Sequence, residues 1–223
     1  MRGLFVTGTD TGVGKTEVSC ALLEEARARG LDIVGMKPAQ SGVGGDGPSD
    51  AQLLREACGK VEPLDALCPY SFEAPLAPAV AARLAGLTIS LQRIEEAARA
   101  LAARHAAVLV EGAGGLLVPL TEEITYADLA ARLGLPVLVV ARAGLGTVNH
   151  TALTVEALLR RGLPLAGIVL DRTGPVDDPS VAHNAREITR ITGREPIALL
   201  PWEPDIAARR RLFRSELAGK IQF

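Results

Sequence analysis

The apolar residues of this chain fall into six short runs, which are bounded by turn residues and separated by longer amphipathic stretches. The runs predict strands at residues 3–7, 33–37, 107–111, 136–141, 166–171 and 196–200. Most runs are apolar throughout instead of alternating, which is typical of strands buried on both faces of a parallel sheet. The stretches between them predict helices at residues 15–29, 50–58, 91–104, 127–133, 147–161 and 179–191, and Gly30, Gly134 and Gly162 stand where helices commonly end.

Strands and helices that alternate at this spacing predict an α/β fold, with one doubly wound, mostly parallel sheet flanked by helices and joined by right-handed crossovers. We predict a mobile glycine-rich loop at residues 42–48 and an irregular surface segment at residues 63–78. Because no repeat or linker divides the chain, residues 1–223 are expected to form a single domain.

Composition argues against several classes of protein. The chain has 223 residues, of which 48% are hydrophobic and 22% charged, so a folded domain is expected rather than a disordered one. A net charge of −2 argues against a nucleic-acid partner, and no apolar run reaches the about 18 residues that span a membrane. Three cysteines without CxxC spacing and no apolar leader predict a cytoplasmic protein with free thiols.

The basic residues are unevenly distributed between Lys and Arg. Of the 24 basic residues only four are lysines: Lys15, Lys37, Lys60 and Lys220. A lysine inside a motif therefore suggests that a compact, mobile ammonium is needed there. A basic run near the C-terminus is interpreted as a solvated helix face, with phosphate or lipid contact as the alternative; it consists of Arg209, Arg210, Arg211 and Arg214.

The sequence GTDTGVGKT at residues 8–16 lies between a predicted strand and a predicted helix, which is the context of a phosphate-binding P-loop. In such a loop the backbone N–H groups and the helix N-terminus bind phosphates. Lys15 can reach the outer phosphates, and the hydroxyl of Thr16 suits a Mg²⁺ ligand. The loop departs from the usual pattern because Gly8 comes one residue early and Thr9 takes the first-glycine position. The alternative is a glycine-rich turn without a ligand.

Two acidic residues are candidates for the carboxylate ligands that Mg²⁺ favours. Glu111 ends an apolar strand in the sequence VLVEGAGG, and ligands of open α/β sheets bind at the carboxyl ends of strands. By itself, Glu111 could instead cap the next turn. Asp50 follows Ser49 at a predicted helix start, where an acidic residue of the first turn is the simpler interpretation.

Seven motifs complete the pattern: TGTDTGVGKT, MKPAQSG, SDAQLL, LVEGAGGLLVPL, YADLA, GTVNHTALT and PW. Their order and approximate spacing resemble the dethiobiotin synthetase family over essentially the whole chain. The resemblance implies a P-loop NTPase fold and an ATP- and Mg²⁺-dependent ligase of biotin biosynthesis. In the implied reaction, 7,8-diaminopelargonate takes up CO₂ as a carbamate and receives the γ-phosphate as a mixed anhydride. Its second amine then closes the cyclic urea of dethiobiotin and releases phosphate.

The resemblance also implies roles for individual residues. It assigns catalysis to Lys37, Lys15 and Thr11, and Mg²⁺ binding to Thr16, Asp50 and Glu111. The residues implied to bind the diamine and its carbamate are Thr11, Lys37, Ser41, Gly114, Gly146, Thr147, Val148 and Asn149. Positions 146–149 would come from the second subunit of a homodimer. The residues implied to bind the nucleotide are Gly12, Val13, Gly14, Lys15, Thr16, Glu17, Asp50, Glu111, Gly112, Ala113, Gly114, Asp171, Arg172, Pro201, Trp202 and Glu203.

Two positions depart from the family pattern. The base-recognition strand usually ends in Asn-Asp, but here it reads Asp171-Arg172. An amide donates and accepts hydrogen bonds, whereas an ionised Asp only accepts, so we expect GTP or CTP to compete with ATP. A tyrosine that holds the substrate's carboxylate in some members has no counterpart here, and Asn184 or Arg186 is the candidate replacement.

Two other functions stay open. One is a small amide-forming synthetase of the same superfamily, such as the cobyrinate amidases, and the other is a ParA/MinD-like positioning ATPase. The second would need a lysine early in its P-loop, where this chain has Asp10. Without the resemblance, Lys37 could be a surface lysine and Trp202 a core residue. His150 is expected to pack or to cap a helix rather than to act as a base.

Overall fold

The computed structural model describes residues 1–45 and 47–223. Its strands are β1 Gly3–Gly8, β2 Ile33–Met36, β3 Ala39–Ser41, β4 Tyr70–Phe72, β5 Ala107–Gly115, β6 Val137–Arg142, β7 Leu165–Asp171 and β8 Ala198–Leu200. Its helices are α1 Lys15–Ala28, α2 Asp50–Ala57, α3 Leu64–Leu67, α4 Pro78–Leu84, α5 Leu91–Arg104, α6 Tyr126–Leu133, α7 Thr147–Arg160, α8 Val181–Thr192 and α9 Ile206–Leu217. Within the described residues, no helix has the length and apolar character needed to cross a membrane.

Six strands form one parallel sheet in the order β2-β5-β1-β6-β7-β8. In its register, Val6 of β1 lies opposite Glu111 of β5, and Gly8 lies opposite Val140 of β6. The chain winds outward from β1 to one edge and later to the other. As a result, the carboxyl ends of β2, β5 and β1 lie side by side near the point where the winding changes direction, where ligands of such sheets bind. The expectation of a doubly wound, mostly parallel sheet flanked by helices is confirmed.

The hydrophobic core surrounds the central strands, because these strands are apolar at nearly every position. Leu4, Phe5 and Val6 of β1 are fully buried, as are Val108 and Val110 of β5. Helix α1 packs against the sheet and also contacts α2 and α9. The loop between β1 and α1 is therefore anchored at both ends by elements that belong to the core.

The segment that we predicted to be irregular contains regular structure. Both α3 and β4 lie within residues 63–78, and β4 pairs in parallel with β3 in a separate two-stranded sheet. Tyr70 and Phe72 of β4 are buried, with their rings 6.4 Å apart. The prediction was wrong here because strands of three residues show too little periodicity, and their stability comes from the partner strand and from core contacts.

Two other sequence features can be placed on the structure. Gly30, Gly134 and Gly162 have φ angles of 80°, 64° and 66° at the ends of α1, α6 and α7, which confirms the predicted helix ends. The predicted mobile loop at residues 42–48 includes residue 46, which lies outside the described residues. The other positions of this loop contain no helix or strand, and the mobility stays a prediction.

Candidate active site

The P-loop connects β1 to α1 through backbone conformations that only glycine adopts easily. Gly14 has a φ of 91°, and an added Cβ would collide with Oδ2 of Asp171. Gly14 is also the N-terminal cap residue of α1, and no side chain caps this helix end. The first N–H groups of α1 are therefore available to an anion, as phosphate binding requires.

Lys15 and Asp10 shape the interior of this loop. The Lys15 ammonium donates to the backbone carbonyl of Asp10 at 3.0 Å, and burial lowers the pKa of Lys15 to about 8 despite the nearby carboxylates. The Asp10 carboxylate accepts from the N–H of Thr11 at 2.7 Å and from Arg142 Nη2 at 2.8 Å. Asp10 thus holds the loop to the end of β6.

The three residues proposed as metal ligands meet next to the P-loop. The hydroxyl oxygen of Thr16 lies 2.9 Å from Glu111 Oε1 and 3.0 Å from Asp50 Oδ1. These residues come from the start of α1, the start of α2 and the middle of β5. The adjacency of β1 and β5 brings Thr16 and Glu111 together, and the packing of α2 against α1 adds Asp50. Glu111 is fully buried.

Lys37 lies between the two carboxylates. Its Nζ atom is 2.7 Å from Asp50 Oδ2, 2.7 Å from Glu111 Oε1 and 3.1 Å from the carbonyl oxygen of Gly112. Burial alone lowers the pKa of this ammonium, but Glu111 and Asp50 outweigh burial and raise it. Burial likewise opposes ionisation of Asp50, yet Lys37 brings the pKa of Asp50 below its usual value. Lys37 is therefore a fixed cation and not a surface lysine.

The residues around Glu111 fit a bound Mg²⁺ ion. Oε2 of Glu111 is buried without a hydrogen-bond partner, although a buried carboxylate oxygen normally has one. Two carboxylates and a hydroxyl are hard oxygen ligands, and Mg²⁺ takes its other ligands from phosphate and water. Across the described ranges there is no cluster of three His, Cys, Asp or Glu side chains that could enclose a metal by itself. The donor set thus suits a metal that arrives with a nucleotide.

A cleft of about 740 Å³ lies over these groups; Glu111, which is fully buried, does not line it. Of the residues predicted to form the site, those lining the cleft are Thr11, Gly12, Gly14, Lys15, Thr16, Glu17, Lys37, Ser41, Asp50, Ala113 and Gly114. Val13 is buried in the loop beside them, and Gly112 contributes its carbonyl to Lys37. Sequence reasoning missed Gln40 and the segment 75–78, which also line the cleft. Gln40 belongs to the motif MKPAQSG, so its place in the site could have been predicted from that motif.

The predicted base-binding residues do not line this cleft, although the Asp171 carboxylate lies directly behind Gly14 of the P-loop. Asp171 is fully buried, and Arg209 Nη2 donates to its two oxygens at 2.8 and 3.1 Å. Burial raises the pKa of Asp171 to about 6, although Arg209 opposes the shift. Asp171 and Arg172 line a smaller cleft of about 260 Å³. The partly buried residues Pro201, Trp202 and Glu203 line neither cleft.

The C-terminal arginines do not form the solvated face that we predicted. The Arg209 guanidinium lies 5.0 Å from the ring centroid of Trp202 and 5.1 Å from that of Phe213. Arg210 pairs with Glu17 and Glu24, and Arg214 pairs with Glu25, all on α1. Only Arg211 of the four is exposed. The interpretation was wrong because the acidic residues Glu17, Glu24 and Glu25 of α1 face α9 and pair with its arginines. The local sequence of α9 does not show these partners.

The residues expected at the substrate's carboxylate lie outside the main cleft. Gly146 is the N-terminal cap residue of α7 and has a φ of 90°. Among the described residues, the lining of the main cleft includes none of Gly146, Thr147, Val148 and Asn149. His150 is half-buried on α7, and its Nδ1 is buried without a partner.

The two candidate replacements for the missing tyrosine differ in their surroundings. The Nδ2 atom of Asn184 donates to the carbonyls of Ala143 and Gly144 and to the hydroxyl of Ser180, at 2.8, 3.2 and 3.0 Å. Its amide is therefore occupied in holding the loop before α7. Arg186, in contrast, is exposed.

Comparison with known proteins also indicates a protein that binds a nucleotide. A family model described as an AAA domain matches residues 2–210. The chain is 77% identical over 223 residues to the ATP-dependent dethiobiotin synthetase BioD of Anaeromyxobacter dehalogenans (strain 2CP-C), with 100% of both chains covered. It is 40% identical over 203 residues to the ATP-dependent dethiobiotin synthetase BioD of Bacillus cereus (strain B4264), covering 91% of this chain and 84% of that relative.

Among solved structures, a ParA family ATPase from Chlorobium tepidum TLS matches with a TM-score of 0.58, over 97% of this chain and 92% of that chain. At 13% identity this likeness shows the fold alone. The P-loop and the family-model match over residues 2–210 place the chain in the P-loop NTPase superfamily. The curated relatives show further that it belongs to the family of ATP-dependent dethiobiotin synthetases. The sequence-based expectation of an ATP-dependent ligase of this family is confirmed.

Proposed function

We propose that this protein converts 7,8-diaminopelargonate and CO₂ to dethiobiotin, using ATP and Mg²⁺ and releasing ADP and phosphate. The observation that carries the proposal is the position of Lys37, whose ammonium lies within 2.7 Å of both Asp50 and Glu111 in the cleft beside the P-loop. An ammonium at this position would contact both the outer phosphates of a nucleotide and the substrate that accepts the phosphoryl group. Membership of the dethiobiotin synthetase family supports the choice of acceptor.

The arrangement of charges suits phosphoryl transfer to a carbamate. This step brings two anions together, so the site must offset their repulsion and stabilise a loose transition state. Lys15 and Lys37 supply two cations on neighbouring sides of the cleft, and the N–H groups at the start of α1 bind phosphate. Thr16, Asp50 and Glu111 would hold Mg²⁺, which supplies further positive charge at the phosphates. The hydroxyls of Thr11 and Ser41 line the same cleft and are proposed to bind the diamine and its carbamate.

We propose that the active site is completed by a second copy of the chain in a homodimer. Positions 146–149 do not line the cleft of their own subunit. Leu145, just before this segment, and Leu153, in the second turn of α7, are 80% and 56% exposed, and a second copy bound here would bury them. The N-terminus of α7 in the second copy would bind the substrate's carboxylate.

A mixing experiment tests the shared site. Lys37→Ala and Asn149→Ala proteins would each be inactive in the shared-site arrangement, but random exchange of their subunits creates one intact site in half of the dimers. We therefore expect the mixture to regain about a quarter of the wild-type activity. No recovery, in proteins shown by native mass spectrometry to exchange subunits, would contradict the shared site.

The reaction itself is tested by phosphate release with ATP, Mg²⁺ and bicarbonate, measured with and without 7,8-diaminopelargonate. We expect release that requires the diamine and falls by at least about a thousandfold in Lys37→Ala. Lys60→Ala is the matched control, because Lys60 is 56% exposed and pairs only with Glu56 among the described residues. Release that does not depend on the diamine would favour a ParA/MinD-like ATPase, and release that depends on another carboxylate substrate would favour an amide-forming synthetase.

We also propose that GTP and CTP compete with ATP. Asp171 stands where the family has an amide, and its two oxygens are occupied by Arg209. An ionised carboxylate cannot donate to a base, so it discriminates less sharply than an amide. The same assay should give kcat/KM values for the three nucleotides within about a hundredfold, and a larger preference for ATP would contradict the proposal.

We propose a cytoplasmic location for this reaction. Its support is the state of the three cysteines, Cys20, Cys58 and Cys68, which are free thiols buried in the fold. Unpaired thiols are typical of reducing compartments.

A further inference from the structure

The buried amide of Gln40 connects the segment after Lys37 to the start of α2. Gln40 lies in β3 and is 5% exposed. Its Oε1 atom accepts from the backbone N–H of Ala51 at 3.1 Å. Its Nε2 atom donates to the hydroxyl oxygen of Ser71 at 3.1 Å and to that of Ser49 at 3.4 Å. All hydrogen-bonding atoms of the amide therefore have partners on neighbouring elements.

The contact with Ala51 fills a gap in the capping of α2. The first N–H groups of a helix have no partner inside the helix. Ser49 and Gln52 form a capping box, in which the side chain of each residue accepts from the backbone N–H of the other. The N–H of Ala51 lies between them in sequence, and Gln40 supplies its acceptor from outside the helix. The first turn of α2 is thus fixed partly by its own residues and partly by β3.

This first turn also carries Asp50. The short segment from Lys37 to Gln40 consequently holds α2 at two points: Lys37 contacts the Asp50 side chain, and Gln40 contacts the backbone one residue later. A metal and a nucleotide would share the Asp50 carboxylate and the Lys37 ammonium. They would leave the bond between Gln40 and Ala51 unaffected, because it involves neither charged group.

We propose that Gln40 is a positioning residue that keeps Asp50 in place for the metal–nucleotide complex. The inference rests on the metal role of Asp50 in the proposed function. Residues that orient a metal ligand through hydrogen bonds commonly change metal affinity by about 10- to 100-fold when they are removed. Gln40 acts in this way through the helix backbone.

The test measures binding of Mn²⁺, in the presence of ADP, to the full-length protein by electron paramagnetic resonance. Gln40→Met keeps the length of the side chain and removes its hydrogen bonds. We expect the Kd for Mn²⁺ to rise at least about tenfold. In turnover, the KM for the metal–nucleotide complex should rise by a larger factor than the KM for the diamine. Gln40→Asn, which keeps the amide but shortens it by one methylene, should also weaken Mn²⁺ binding and serves if the Met variant does not fold.

Two variants separate positioning from general loss of helix stability. Ser71→Ala removes a partner of Nε2 but leaves the contact with Ala51, so Mn²⁺ binding should stay within about threefold of wild type. Gln52→Ala breaks the capping box of α2 and lowers the thermal stability without touching Gln40. If Gln52→Ala weakens Mn²⁺ binding as much as Gln40→Met, or if Gln40→Met binds like wild type, the inference is overturned.

The binding assay also keeps this inference distinct from the proposed reaction. Wild-type protein that binds Mn²⁺ with ADP, but shows no diamine-dependent phosphate release, would overturn the reaction and leave the role of Gln40 intact. Wild-type protein that binds no Mn²⁺ with ADP would overturn the role of Gln40, because Asp50 would then have no metal to hold.

Discussion

Replacing Arg209 by Met removes the positive partner of a buried carboxylate and leaves a side chain of similar length. Asp171 is fully buried, and Arg209 is its ion-pair partner in the described structure. Methionine can fill the space between Trp202 and Phe213, so the variant isolates the charge from the packing. The perturbation therefore asks how much the Arg209 guanidinium stabilises an ionised Asp171.

The expected loss of stability follows from the pKa of Asp171. In the wild type this pKa is raised from the ordinary aspartate value of 3.8 to about 6, so ionisation of this group already costs the folded state about 3 kcal/mol at high pH. Without Arg209, burial should raise the pKa above about 8. The folded state then binds more protons than the unfolded state, and stability falls by about 1.4 kcal/mol for each pH unit above the unfolded pKa.

The difference between the two proteins therefore depends on pH. At pH 5 the carboxyl is largely protonated in both folded proteins, and the variant loses the aromatic contacts of Arg209 and its hydrogen bonds to a neutral carboxyl, about 2 kcal/mol together. Between pH 5 and pH 8 the difference in stability between wild type and variant should grow by about 3 kcal/mol. The wild type stops losing stability above its pKa of about 6, whereas the variant continues to lose it. We expect gaps in the free energy of unfolding of about 2 kcal/mol at pH 5 and about 5 kcal/mol at pH 8.

Urea unfolding at pH 5, 7 and 8 measures these free energies by linear extrapolation. Arg211→Met is the matched control, because Arg211 lies on the same helix and is exposed. Its effect should be small and independent of pH. A gap between wild type and Arg209→Met that is equal at pH 5 and pH 8 would refute the reasoning, since Asp171 would then not be the group that titrates.

Three further predictions concern the site and its supports. Glu111→Gln should weaken Mn²⁺ binding with ADP at least about a hundredfold by electron paramagnetic resonance, because it neutralises the buried ligand. Asn184→Ala should lower the free energy of urea unfolding by about 2 kcal/mol, because the carbonyls of Ala143 and Gly144 lose their donor. Gly14→Ala should raise the Kd for ADP in calorimetry at least about tenfold, because its φ of 91° and the Asp171 carboxylate both oppose a side chain.

Each of these changes has a control in the same chain. Glu123→Gln neutralises an exposed acid and should leave Mn²⁺ binding unchanged. Asn149→Ala removes an exposed amide and should leave stability within about 0.5 kcal/mol. Gly134→Ala imposes a positive φ of 64° at the end of α6, outside the cleft and where an added Cβ meets open space, so it should leave the Kd for ADP unchanged. Effects as large in the controls as in the test variants would contradict the three predictions.

The central sheet could be predicted from the sequence because its strands are long, apolar and separated by clear helices. The six predicted strands all appear, with ends shifted by a few residues; β5, for example, continues to Gly115 instead of ending at Glu111. The glycines after Glu111 weaken the apolar pattern without ending the strand. In contrast, β3 and β4 are held by pairing across about 30 residues, which local pattern cannot show.

Eleven residues of the candidate cleft could be named from motifs, but their contacts could not. The contact of Lys37 with Glu111 spans 74 positions, and it exists because β2 and β5 are neighbours in the sheet. The pair of Asp171 and Arg209 depends on the packing of α9, which was interpreted as a solvated surface. Spacing along the chain carries no information about such pairs, because they are set by the order of strands and the docking of helices.

The central position of β1 has a consequence for biosynthesis. This strand is complete at Gly8, but its partners β5 and β6 end at Gly115 and Arg142. At about 5–20 residues per second, a ribosome needs roughly 7 to 27 s to produce the remaining residues of both partners. Within this interval β5 becomes available before β6, so this apolar strand has no partner until β5 has been made. The first strand of the sheet therefore completes its pairing only after the ribosome has passed Arg142.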